Sequence, residues 1–242
     1  MHSSMMTAEQ IIGLNQDHLL HIADNSELLG QKFQCHHEVL VPIAKLIRRS
    51  ELDGIPLRVI SSYRSFEHQL TIWNKKYYQE VTLNLRDGST VNSQDLDGQE
   101  RVNAILHYSA LPGASRHHWG TDFDVFDAGA IDMGHEVQLI EQEFDKQGPC
   151  GGLNDWLEDH LSQYQFFKPY AEDLGGVACE PWHISYEPIA QEVLKEFPLE
   201  LLRKTLEASD IGGKQFILAK LDMLVEKYVM TVCKTEIDNP GG

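Results

Sequence analysis

The chain is expected to fold as α+β, with a small, mostly antiparallel central sheet flanked by helices. Three observations predict this. Short β-branched or alternating apolar runs sit in the middle of the chain. Amphipathic runs with helical spacing lie before and after them. Glycine and proline breaks separate the runs.

The elements follow in order. Residues 38–49 place Val39, Leu40, Ile43, Leu46 and Ile47 on one helical face. Gly54-Ile55-Pro56 breaks that helix, and residues 57–62 alternate as a strand. Residues 66–78 read as a helix with Ser65 as its N-cap. Residues 85–97 are polar and turn-rich, a surface insertion with a short hairpin at Asp87-Gly88. A short helix over 100–109 ends at Pro112-Gly113, and 121–126 has strand character. Gly148-Pro149-Cys150-Gly151-Gly152 is a loop, and Asn154 caps a helix running to about Tyr164. Residues 182–186 form a second apolar strand. The tail is helical over 189–196, 199–207 and about 215–232.

The chain has 242 residues and 42% hydrophobic content, enough for one sizeable core, so one domain over 1–242 is expected. Its formal charge of −17 repels nucleic acid and anionic membranes. The four cysteines, Cys35, Cys150, Cys179 and Cys233, form no CxxC pair, so a cysteine zinc site is unsupported. They are expected to be free thiols, although Cys150 and Cys179 could pair in an oxidising compartment. No run of residues is apolar and long enough to span a membrane, and no secretory leader is visible, so a cytoplasmic location is expected. His36-His37 precede a helix and are expected to be solvated. Trp119 and Trp182 are expected in the core or in a cleft wall. No Gly-rich phosphate loop and no nucleophilic Ser or Cys triad is found.

Three segments carry chemistry. In residues 115–124, His117 on a turn is followed seven residues later by Asp124 on a strand. Phe123 and Val125 would face the core, leaving Asp122 and Asp124 together on the other face. Two carboxylates so placed repel unless a cation lies near them; a metal is one solution and a nearby arginine the other. In Glu180-Pro181-Trp182-His183, an ideal strand would send Glu180 and His183 to opposite faces. Pro181 argues against both a helix and a regular strand, and a bend there would bring both side chains to one place. A buried strand with a satisfied histidine is the other reading. Tyr63-Arg64-Ser65 lies at a strand-to-helix junction, where backbone donors and a guanidinium can meet a carboxylate or an oxyanion.

Together these segments resemble the VanY-type D-alanyl-D-alanine carboxypeptidase family. That family belongs to a wider zinc peptidase group with the lysostaphin-type enzymes, the dipeptidase VanX, phage L-alanyl-D-glutamate endopeptidases and the Hedgehog signalling domain. The family pattern SxHxxGxAxD matches Ser115, His117, Gly120 and Asp124. ExxH, usually EPWH, matches Glu180 and His183, and YRSxxxQ matches Tyr63, Arg64, Ser65 and Gln69. Trp156, Leu157, Tyr164 and Phe166 resemble the family's WLxxxAxxYGF stretch. The likeness runs from about Arg58 to Tyr186, in the same order.

The resemblance implies a Hedgehog/DD-peptidase-like fold, with a catalytic core over about 36–187 and a helical extension over 188–242. It implies that His117, Asp124 and His183 ligate Zn²⁺ and that Glu180 is the general base. Arg64 would polarise the scissile carbonyl or stabilise the oxyanion. Gln69 and Ser115, with Arg64, would hold the substrate's terminal carboxylate or backbone. The implied partner is a peptidoglycan-derived peptide cut by a carboxypeptidase. An endopeptidase or dipeptidase would share the same zinc and base. A non-catalytic zinc-stabilised binding module is disfavoured by the presence of both Glu180 and Arg64. Three departures stand out: Asp122 where the family usually has alanine, Gln165 where it has glycine, and the insertion at 85–97.

Overall fold

The computed structural model describes residues 6–22 and 32–233. A short helix α1 (Ala8–Ile11) is closed at its start by a capping box between Thr7 and Gln10. The apolar runs on either side of the undescribed stretch pair as an antiparallel ribbon, β1 (Leu19–Ile22) with β2 (Phe33–His36). Helix α2 (Leu40–Leu52) buries Ile43, Leu46 and Ile47, the face its spacing predicts. Strand β3 (Leu57–Ser61) follows the Gly54 break, and Ser65 caps α3 (Phe66–Tyr78) by accepting a hydrogen bond from His68 N.

The insertion does fold as a hairpin, β4 (Thr82–Asn84) against β5 (Thr90–Asn92). Helix α4 (Gly98–Leu106) starts earlier than its apolar spacing suggests. Asp97 and Glu100 form a capping box there. Next come β6 (Asp122–Asp127), the short α5 (Ala128–Asp132) and α6 (Gly151–His160). Asn154 does not cap α6, which begins after Cys150. Its Oδ1 instead accepts a hydrogen bond from Lys168 Nζ at 2.6 Å.

A two-residue strand, β7 (Phe166–Phe167), was not legible in the sequence, and β8 (His183–Tyr186) begins one residue late. The tail is α7 (Glu187–Lys195), α8 (Leu199–Ala208), α9 (Lys214–Ala219) and α10 (Leu221–Val225), the last running into a π turn over Glu226–Met230. The single helix expected over 215–232 is thus broken near Lys220. Among the described residues no helix is long and apolar enough to cross a membrane. The four cysteines are free thiols.

The central sheet has the order β3-β6-β8-β7, with every pair antiparallel. The most central strand, β6, is buried on both faces. Phe123 and Val125 join the apolar core, while Asp122 and Asp124 face the other way. Helices α8, α9 and α10 contribute Leu202, Leu206, Ile217 and Leu224 to the same buried cluster. Trp73 of α3 donates its indole N–H to Gly212 O.

His36 corrects an expectation. It is buried, not solvated, because its backbone N–H donates to Gly120 O and β2 thereby packs against the turn that carries His117. His37, its neighbour, is exposed as expected.

Candidate active site

The site is assembled from one turn, one central strand and the entry to the next. A 3-10 turn, Arg116–Trp119, carries His117 and ends at Gly120 with φ of 67°. A Cβ there would meet the backbone N of His36 at 2.7 Å, so only glycine fits this left-handed position. Strand register then sets Asp124 opposite His183 and Asp122 opposite Ser185. The bend at Pro181 is real: residues 180–182 form a turn closed by His183 N–H donating to Glu180 O. That turn aims Glu180 and His183 into one space, with Glu180 Oε2 3.5 Å from His183 Nδ1.

His117 Nε2 lies 3.3 Å from Asp124 Oδ2, and His183 Nδ1 lies 3.1 Å from Asp124 Oδ1. One donor atom from each of the three residues lies within 4.8 Å of the others, and all three side chains are buried. The opposite ring nitrogens differ: among the described residues that of His117 is hydrogen-bonded and that of His183 is not. His117 Nδ1–H donates to Ser62 O at 2.8 Å, which leaves the Nε2 lone pair facing Asp124. His183 Nε2 points towards Asp122 Oδ1 at 3.8 Å.

The electrostatics of this donor set fit a cation. Burial alone would push the Asp124 carboxyl up, yet His117 and His183 hold it well below the usual carboxylate range. Burial would likewise lower His183, but the Asp122 and Asp124 carboxylates raise it to about 9. The pocket therefore draws positive charge to the spot between Asp124 and the imidazoles. His117 is pushed down by burial and by the Arg64 charge. Two imidazoles and one carboxylate, with room for a further ligand, are a donor set suited to catalytic zinc.

Asp122 takes the arginine rather than the histidine pair. Arg116 Nε donates to Asp122 Oδ1 at 3.0 Å, and Arg116 Nη2 donates to Ser185 Oγ at 2.6 Å. Both members of this ion pair are buried, and the guanidinium lies over the Trp119 ring.

Burial raises the Glu180 carboxyl to about 7, with His183 opposing and the Asp124 charge adding to the rise. Arg64 Nη2 donates to Asp124 Oδ2 at 3.1 Å and to Ser61 Oγ at 2.6 Å. Its backbone N–H donates to His117 O, tying the arginine segment to the histidine turn.

A cleft of about 260 Å³ brings Arg64, Ser115, His117, Asp124, Glu180 and His183 together. Gln69 does not line it. It is buried behind the wall, where its Nε2 donates to Ala110 O at 2.9 Å. Trp182 lines the cleft and Trp119 is core, as expected.

Sequence reasoning missed Lys76, Ser109 and Tyr170, which also line the cleft. For Lys76 a signal existed: it lies three residues beyond Trp73, on the same inner face of α3 as Phe66, Gln69 and Trp73. The other two sit on irregular segments with no local pattern. Gln165 adopts φ of 63°, the left-handed conformation that suits the glycine usual there. Its Oε1 accepts a hydrogen bond from the Tyr186 hydroxyl at 3.0 Å.

The family model described as VanY, D-alanyl-D-alanine carboxypeptidase, matches residues 32–189. An uncharacterized protein of Haemophilus influenzae is 32% identical over 122 residues, which is 50% of this chain and 93% of that protein. A D-alanyl-D-alanine carboxypeptidase of Enterococcus faecalis is 26% identical over 144 residues, 58% of this chain and 44% of that protein. Among solved structures, VanYB in complex with D-alanine-D-alanine aligns over 74% of this chain and 87% of its own, at 20% identity and a TM-score of 0.47.

Proposed function

The chain belongs to the VanY D-alanyl-D-alanine carboxypeptidase family, a family of peptidases, and from that premise we propose that it is a zinc-dependent D,D-carboxypeptidase. Its substrate would be a peptidoglycan peptide or precursor, from which it removes the C-terminal residue. The observation that carries this reading is the convergence of His117 Nε2, Asp124 and His183 Nδ1 beside the buried carboxyl of Glu180.

Zinc held by His117, Asp124 and His183 would supply Lewis acidity and bring the pKa of a water molecule to about 7. Glu180 takes the proton from the attacking water and passes it to the leaving amine. A carboxyl raised to about 7 is suited to both transfers at neutral pH. Arg64, on the cleft wall beside Asp124, stabilises the oxyanion of the tetrahedral intermediate. Ser115, buried in the cleft, orients the peptide backbone. Ser62 O holds the far nitrogen of His117, as partners of metal-bound imidazoles do, and the Asp122 carboxylate lies 3.8 Å from that of His183.

The hairpin borders the cleft. Asn84, where β4 enters the turn, lines the cleft, and Arg86 within that turn binds Asp173 and Gly176 O. This strap ties the insertion to the segment that carries Val177, another cleft residue. We assign the catalytic core to about 36–187 and read 188–242 as an extension within one domain, supported by the shared buried cluster. Four free thiols fit a reducing compartment, so we place the activity in the cytoplasm, on precursors or recycled fragments.

The test combines elemental analysis with hydrolysis of a tripeptide ending in D-Ala-D-Ala. One equivalent of zinc and release of a single D-alanine are expected. Glu180→Gln should keep the zinc and lose turnover by about 10²–10⁴-fold. A protein that binds no metal through His117, Asp124 and His183 would refute the reading.

A further inference from the structure

One cation on the cleft wall has no part in the mechanism above. Lys76 projects from α3 to the junction between the metal-bearing cleft and an adjoining open groove of about 510 Å³ bounded by Ile60, Tyr63 and Tyr108. Its Nζ donates to Ser109 Oγ at 2.5 Å. It makes no ion pair among the described residues. An ammonium group largely withdrawn from water is stable only when something negative or strongly polar faces it. A single hydroxyl answers one of its three donors.

Arg64 differs from Lys76 in this respect, because it is already engaged with Asp124 and Ser61 Oγ. Among the described residues Lys76 is thus the lysine or arginine of the cleft that pairs with no carboxylate. Burial and the Arg64 charge both lower its pKa, while Glu180 raises it, which places it within the field of the catalytic carboxyl. Overall charge makes such a cation necessary. A chain of formal charge −17 repels anionic peptides at long range, so a local positive group must hold any carboxylate that enters.

We infer that Lys76, with the Ser109 hydroxyl, is the substrate-carboxylate anchor of this cleft and selects peptides that carry a free carboxylate beside the scissile bond. The carboxylate can be the peptide's C-terminus or an acidic side chain; the chemistry recognised is the same. This deepens the peptidase reading and rests on it.

The test measures binding to zinc-loaded Glu180→Gln protein, which holds peptide without turning it over. Three probes are used: a D-Ala-D-Ala peptide with a free C-terminus and an acidic side chain, its C-terminal amide, and its side-chain amide. Lys76→Met should weaken the unmodified peptide at least tenfold and leave one of the two amides nearly unaffected; that amide identifies the carboxylate. Lys76→Arg should restore most of the loss. Equal weakening of all three probes, or of none, would overturn the inference. Cleavage by the unmutated enzyme reports separately on the peptidase reading. If cleavage occurs while Lys76→Met fails to discriminate, only this inference falls. Carboxylate-selective binding without cleavage sinks the peptidase reading alone. Absence of both sinks both.

Discussion

Asp122 and Asp124 share one face of one strand but have different partners: Arg116 holds the first, and Arg64 with the pair His117–His183 holds the second. An arginine thus answers each carboxylate, and the histidine pair gathers at Asp124. Asp122 also lies 3.8 Å from His183 Nε2, so its charge reaches the candidate metal site.

Removing one member of the Arg116–Asp122 pair should cost more than removing both. Asp122→Ala leaves the buried Arg116 guanidinium uncompensated, a loss of about 3–5 kcal/mol. Zinc affinity should fall about 10–100-fold as His183 loses the carboxylate beside it. Adding Arg116→Met to Asp122→Ala should recover most of the stability but not the affinity. Urea denaturation and competitive zinc titration measure the two effects; a double variant less stable than Asp122→Ala would contradict this.

Arg64→Ala should lower kcat about 10²–10³-fold, the value of one oxyanion donor, while zinc content stays at one equivalent. Steady-state kinetics with elemental analysis separates this from metal loss. Unchanged kcat would remove Arg64 from the transition state.

Chelation should lower the thermal midpoint, because an ion that binds only the folded chain stabilises it by mass action. The shift should vanish in His117→Ala and His183→Ala, whose donor atoms the site lacks, and persist in His37→Ala. A chelator shift that survives His117→Ala would place the ion elsewhere.

Part of the acid sensitivity should arise from histidines that burial keeps neutral, among them His18, His36 and His118, the last lowered to about 3. Burial pushes His18 down to about 4, and burial with the neighbouring His37 and His18 pushes His36 down to about 3. The unfolded chain protonates both near pH 6.5 while the folded chain does not. These two histidines add no slope above pH 6.5, where His183, raised to about 9, instead makes the metal-free protein lose stability as pH rises. Stability falls as pH drops through the window from 6.5 to about 4, by about 1.4 kcal/mol per pH unit for each histidine. Neither ring nitrogen of His18 has a hydrogen-bond partner, so His18→Leu should remove one proton from the slope at little cost. Metal-free urea denaturation between pH 4.5 and 7.5 checks this; an unchanged slope would exonerate His18.

The sequence by itself determined the pieces of the site that lie close along the chain. Asp124 lies seven positions after His117 and His183 three after Glu180, and alternation along β6 already put Asp122 beside Asp124. Helical spacing found α2 and α3, and turn chemistry found the hairpin at Gly88, because each depends on neighbours within a few residues. Tertiary structure alone decided the rest. The pairing of Arg116 with Ser185, the placement of Gln69 behind the wall, the burial of His36 against Gly120 and the exposure of Lys76 to the cleft all join residues far apart in sequence. Local pattern carries no information about such contacts. They are set by strand register and by which helix face meets which loop once the core has closed.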